Sequence, residues 1–152
     1  MRIVGNGGHA KVIRELYALV APFPDSYAFI AIGNNADRKN EAERHNGYDF
    51  PVLIHPSAVV SPSAHVGPGT VIMAGVVVQA DARIGDHVIL NTGCTVDHDC
   101  VIGDYAHIAP GANLCGEVEV GEGALVGVGV GIVPRFVIKP WSIVKAHAIR
   151  SD

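Results

Sequence analysis

The sequence is short of rings, of positive charge and of paired thiols, and each shortage closes off a class of protein. One Trp, four Phe and four Tyr in 152 residues leave too little ring surface for a core of interlocked aromatics, whereas Val, Ile, Ala and Gly suit small side chains stacked in register. Eleven Lys and Arg against fifteen Asp and Glu give a formal charge of −4. No basic run occurs, so the electrostatic footprint of a nucleic-acid binder is absent. No apolar stretch approaches the roughly 18 uncharged residues of a membrane span, and Met1 to Gly5 pass directly into a strand and turn rather than a leader. The expected location is cytoplasmic. Cys94, Cys100 and Cys115 are odd in number and lack a metal-type Cys-x-x-Cys spacing, which predicts free thiols, at least two of them small buried hydrophobes.

What is present divides into two parts, 1–53 and 54–152, within a length that fits one domain with a small appendage. Arg2 to Val4 reads as a strand, and Gly5-Asn6-Gly7-Gly8-His9 is a glycine-rich turn into a helix whose apolar positions are Ala10, Ile13, Leu16, Tyr17 and Val20. Such a turn can bring backbone N–H groups to a phosphate at the positive end of the helix, although Ala10 breaks the full Gly-x-Gly-x-x-Gly pattern. A Pro-rich break follows, then a strand over 27–32, a short polar helix over 37–46 and a third strand over 50–54. These elements predict a truncated, Rossmann-like α/β unit that leans on the rest of the chain for stability.

From Ile54 to Val144 every sixth residue is aliphatic, sixteen times without exception. Two positions before each stands a mostly small side chain, such as Ala82, Cys94 or Ala106, and glycine often follows it, as in Ile84-Gly85. A fixed short period marks a solenoid whose units bury their faces only by stacking. The pattern resembles the hexapeptide acyltransferases, which implies a mainly β fold, a left-handed parallel β-helix of about five coils with strands roughly 4.8 Å apart. Such proteins are typically homotrimers, and a narrow prism with uncovered faces has physical reason to associate.

A narrower resemblance joins both halves. Gly5 to Val12, Ile30 to Arg38, Leu53 to Ala58 and the stretch Asn91 to Gly103, Asn-Thr-Gly-Cys-Thr-Val-Asp-His-Asp-Cys-Val-Ile-Gly, resemble the NeuD/PglD-like sugar acyltransferases. The resemblance implies transfer of acetyl from acetyl-CoA to the amino group of a nucleotide-linked (UDP-type) amino sugar in surface-glycan biosynthesis, or to a hydroxyl of sialic acid or another sugar. It gives His98 the role of general base and Asp99 that of its carboxylate partner. His107, Gly116, Val128 and Asn91 then face the coenzyme, and Asn6, Gly7, Gly8, His9, Gly33 and Asn35 face the acceptor.

The residues can be weighed beside that resemblance. Two positions beyond the inward Val96, His98 falls at a corner where side chains point out. An exposed solenoid histidine is by itself more often a surface residue than a base, but Asp97 and Asp99 flank this one. A neighbouring carboxylate raises imidazole basicity from about 6.5. Gly116 lies eighteen residues on, one coil along the same edge, where its N–H is a possible oxyanion donor. His107 is half a coil from His98, so a site using both must be built by two chains. His65 and His87, outward without carboxylate partners, read as solvated surface residues. Zinc carbonic anhydrases share the β-helix, but the sequence around His98 fits them poorly, and no metal is expected. Two departures from the family pattern are a Pro-rich linker in place of a strand before Tyr27, and an end, 148–152, without Gly-x-Pro-Ala. A non-catalytic trimeric binding module is the rival from another class.

Overall fold

A computed structural model describes residues 2–20 and 23–146; the 148–152 end therefore lies outside the described residues. Arg2–Val4 (β1) and Ala28–Ile30 (β2) form a two-stranded parallel sheet, covered by helix α1, Gly8–Val20. Ala10, Ile13 and Leu16 form the buried stripe of α1, at the helical spacing the sequence predicts. Tyr17, Phe23, Tyr27 and Phe29 gather in one cluster with centroids 5.5–6.2 Å apart, so the scarce rings are concentrated where a small unit most needs apolar area.

Helix α2, Asn35–Arg44, begins two residues earlier than its polar composition suggests. Asn34 caps it, its side-chain oxygen accepting from the Asp37 N–H at 3.0 Å. The third strand is also shorter than expected and belongs elsewhere. Only Leu53–Ile54 (β3) is extended, and it pairs with Val71–Ile72 of the coils. Pro51 lacks the N–H needed to continue a ladder, so the contact with the small sheet stops at the Tyr27–Asp49 bridge.

The repeat is a left-handed parallel β-helix. Sixteen two-residue strands, β3 to β18, start every sixth residue from Leu53 to Ile143 and stack into three sheets of five, five and six strands. That is five turns and one further strand. Pairing runs from each residue to the one eighteen later, as in Thr95↔Asn113 and Val96↔Leu114. All sixteen aliphatic positions are second in their strands; from Ile72 to Ile138 none is more than 5% exposed, whereas Ile54 at the first coil is 38% exposed. Cys94 and Cys100 are buried and Cys115 is exposed, all as free thiols.

The corners have a rule of their own. Every sixth residue from Gly69 to Trp141 has a φ between 53° and 72°, and seven of these thirteen are not glycine: Asp81, His87, Asp99, Tyr105, Glu117, Arg135 and Trp141. Left-handed backbone is unfavourable for residues with a Cβ. Inter-coil bonds hold it in place: Asp99 donates to the Ala80 carbonyl at 3.0 Å and Glu117 to the His98 carbonyl at 3.0 Å.

The α/β unit is bolted to one sheet of the prism through α2. The Asn35 amide donates to the carbonyls of Gly123 and Ala124, at 3.0 and 3.2 Å. Lys39 pairs with Glu122 at 2.7 Å and lies 5.7 and 5.6 Å from the rings of Tyr105 and Trp141. His87, expected on the surface, is instead buried, stacked on Tyr105 and met edge-on by Phe50. Hexapeptide register predicts that a corner side chain points out of its coil; it cannot show that another unit covers that corner.

Candidate active site

His98 occupies the corner after Thr95–Val96 (β10). Asp97 Oδ1 accepts from its backbone N–H at 2.8 Å, fixing the turn, and its ring Nδ1 lies 2.8 Å from Asp99 Oδ2. The left-handed backbone of Asp99 folds the short carboxylate back onto the ring it follows, so Asp reaches without the extra methylene of Glu. This bond, and then the charges of Asp97, Asp99 and Glu117, raise the pKa of His98. With the ring proton held on Nδ1 by the carboxylate, the Nε2 lone pair is available as a base.

Gly116 stands against the same ring. A Cβ there would lie 2.6 Å from both Cε1 and Nε2 of His98, so only glycine lets the imidazole lie flat on the next coil. The Gly116 carbonyl accepts from Arg135, and no acceptor among the described residues takes its N–H. Beside this corner Asp99, Val101, Glu117, Glu119 and Arg135 line a shallow depression of about 460 Å³.

The second focus is a cleft of about 940 Å³ on the α/β unit. Asn6, Gly7, Gly8 and His9 at the α1 N-terminus form one wall, with Ile32, Gly33 and the α2 residues Asp37, Asn40, Glu41 and Arg44 across from them. The glycine-rich turn thus opens on a cavity large enough for a ligand, with the positive helix end directed at it. Asn35 is not part of this wall. Its side chain bonds the carbonyls of Gly123 and Ala124 and the guanidinium of Arg38. His9 Nε2 is buried with no partner, and burial, then the charge of Arg38, pushes its pKa down to about 4.

His107 and Asn91 meet each other rather than His98. Asn91 Nδ2 lies 3.0 Å from His107 Nε2. Burial, Arg38 and His9 lower the His107 pKa to about 4, against the opposing effect of the Gly33 backbone. His107 opens a strand of the sheet that carries the α/β unit, and no bond or ion pair links it to His98. Val128 is 57% exposed at a different corner, next to Gly129. Among the described residues no group of three or more His, Cys, Asp and Glu is placed to hold a metal ion.

Residues 49–152 match the family described as GMPPB C-terminal domain. The fold superposes on PerB from Caulobacter crescentus, solved with CoA and GDP-perosamine, with a TM-score of 0.90 and 39% identity over 95% of this chain and 85% of that one. It also superposes on the acetyltransferase domain of PglB from Neisseria gonorrhoeae FA1090, solved with acetyl coenzyme A, with a TM-score of 0.93 and 35% identity over 99% and 89%. The chain belongs to the hexapeptide-repeat sugar N-acetyltransferases. A further relative, UDP-N-acetylbacillosamine N-acetyltransferase of Bacillus subtilis (strain 168), is 46% identical over 108 residues, covering 47% of this chain and 50% of its own. The chain therefore spans about half the length of that curated relative.

Within this acetyltransferase frame, sequence reading missed three groups. The α2 side chains Asp37, Asn40, Glu41 and Arg44 supply polar groups to the cleft. An i, i+3, i+4, i+7 spacing after the Asn34 cap was the signal that could have found them. Gly116 was expected as a coenzyme-facing residue and a backbone donor, not as the bed for the His98 ring. Arg38, only 1% exposed, gave no sign of burial, because a charged residue on a polar helix ordinarily reads as surface.

Proposed function

We propose that this protein is an acetyl-CoA-dependent N-acetyltransferase acting on the amino group of a nucleotide-linked sugar, UDP-linked in the first instance. The observation that carries this reading is the outward His98 imidazole, held 2.8 Å from Asp99 and lying on Gly116. One relative is named a GDP-perosamine N-acetyl transferase and another a UDP-N-acetylbacillosamine N-acetyltransferase, which favours an amine over a hydroxyl acceptor.

In this reading the nucleotide occupies the Asn6 to His9 cleft, and the free amine attacks the thioester carbonyl of acetyl-CoA. Nε2 of His98 takes the amine proton as the N–C bond forms, and the Gly116 N–H stabilises the developing oxyanion. The C–S bond then breaks, and the proton passes from His98 to the departing thiolate, leaving amide and CoA. Because His98 and the His107–Asn91 pair belong to different faces of one prism, the complete site is made where two copies meet, in a trimer. His107 and Asn91 would then act on the coenzyme from the neighbouring copy.

The test is thiol release from acetyl-CoA with UDP- and GDP-linked amino sugars and with sialic acids. Turnover with at least one nucleotide amino sugar is expected, with His98→Ala lowering kcat by at least about a hundredfold. Full activity in His98→Ala would falsify the general-base assignment.

A further inference from the structure

The guanidinium of Arg38 joins the acceptor cleft to the coils. It donates from Nη1 to the carbonyls of Ile32 and Gly33, at 3.0 and 3.2 Å. Nε reaches the His87 carbonyl at 2.9 Å, and Nη2 reaches Asn35 Oδ1 and the carbonyls of Tyr105 and Ala106, at 2.9, 2.6 and 3.3 Å. All six acceptors are neutral, and no carboxylate among the described residues pairs with this buried cation. Burial accordingly lowers its pKa to about 10, which still leaves it charged at neutral pH. A charge held only by carbonyl dipoles ties down the segments that supply them, here 32–33 of the cleft wall, Asn35 at the start of α2, and 87 and 105–106 of the coils.

The direction of those carbonyls matters for the cleft. In a trans peptide the N–H points opposite to the C=O. With the Ile32 and Gly33 carbonyls drawn to Nη1, the N–H groups of Gly33 and Asn34 are turned away from the guanidinium, which does not line the cleft, whereas Gly33 does and Asn34 follows it directly. Neither N–H has an acceptor among the described residues. They lie at the start of α2, opposite the glycine-rich start of α1. The Gly33 backbone also acts on the His107 imidazole, raising its pKa against the larger effect of burial.

We infer that Arg38 is a positioning residue for the acceptor: by holding the Ile32 and Gly33 carbonyls it presents the Gly33 and Asn34 N–H groups to the nucleotide moiety, in register with the coil segment at His107. This inference rests on the reading of the cleft as the nucleotide-sugar site. Its test uses the full chain, with UDP and GDP as calorimetric probes beside the kinetic assay. Arg38→Lys, which keeps the charge but not the fork, is expected to raise the Kd of the nucleotide that binds, and the acceptor KM, by at least about tenfold. The KM for acetyl-CoA should stay within about twofold. Lys39→Ala, which loosens α2 at Glu122 without touching the two carbonyls, should leave nucleotide Kd within about twofold. An unchanged Kd in Arg38→Lys, or an equal loss in Lys39→Ala, would make Arg38 a structural pin only and overturn the inference. Should Arg38→Lys not fold, hydrogen exchange on the wild-type chain decides: saturating nucleotide must protect Gly33 and Asn34 together with 105–107, and no protection at 33–34 overturns it. Transfer without UDP or GDP binding would sink this inference alone; binding without transfer would sink the N-acetyltransferase reading alone.

Discussion

At the residue scale the candidate chemistry depends on one short bond and one missing methyl group. Because hydrogen bonding to Asp99 raises the His98 pKa, the imidazole stays protonated, and useless as a base, to a higher pH than free imidazole. The acidic limb of the kcat/KM profile should therefore lie above about pH 6.5, and Asp99→Asn should move it to lower pH while lowering the plateau. A limb that stays in place in Asp99→Asn would assign it to another group. Gly116→Ala puts a Cβ 2.6 Å from the ring, and the ring, an exposed side chain, can swing aside. Circular-dichroism melts should show nearly wild-type stability, while kcat/KM falls at least about tenfold through the displaced base. Of these two contacts, the flanking carboxylate was legible in the sequence, because Asp adjoins His there. The eighteen-residue spacing placed Gly116 one coil from His98, but did not show that the ring lies 2.6 Å from where a Cβ would stand, leaving no room for one.

Secondary-structure elements repeat the same division between what a period reveals and what it hides. Six-residue spacing predicted every coil strand, since an aliphatic side chain must point inward once per face. It did not predict the left-handed corner three residues after the aliphatic positions from Val66 to Ile138, because seven of those thirteen corners carry a side chain in place of glycine. Two corner substitutions separate conformational strain from crowding. Gly93 has a φ of 66° and open space where a methyl would stand, whereas a Cβ on Gly69, φ 72°, would meet His87 Nδ1 at 2.3 Å. Urea unfolding should show Gly93→Ala costing about 1 kcal/mol and Gly69→Ala at least about twice that. Equal costs would mean that His87 yields without resistance. In the α/β unit the helices were legible from apolar spacing and polar composition, but the start of α2 depended on its Asn34 cap, and the third strand failed on a proline.

For the whole molecule, the junction between unit and coils is where charge and burial compete. His9, His87 and His107 are each pushed to about 4, chiefly by burial and then by Arg38. Each is neutral when folded and ordinary when unfolded, so between about pH 6.5 and 4 the unfolded chain binds more protons. Stability is then full above that window and falls as pH drops through it, by several kcal/mol in all. Melting temperature measured from pH 7.5 to 4.5 should decline steeply below about 6.5; a flat profile would show that these rings are solvated. None of this was visible in the sequence, where four residues far apart in the chain, Arg38 among them, give no sign of meeting.

The pairing of each residue with the one eighteen later has a further consequence, for how such a chain can change length. A single-residue deletion inside the coils would put a corner where a strand belongs in every turn beyond it, turning aliphatic side chains outward one after another. Gain or loss of eighteen residues would instead add or remove a whole turn and leave both neighbours matched. Insertions of other sizes can be absorbed only by bulging out at a corner, beyond the stacked ladders. The prism can lengthen turn by turn, while its cross-section is fixed by the sixth-residue rule.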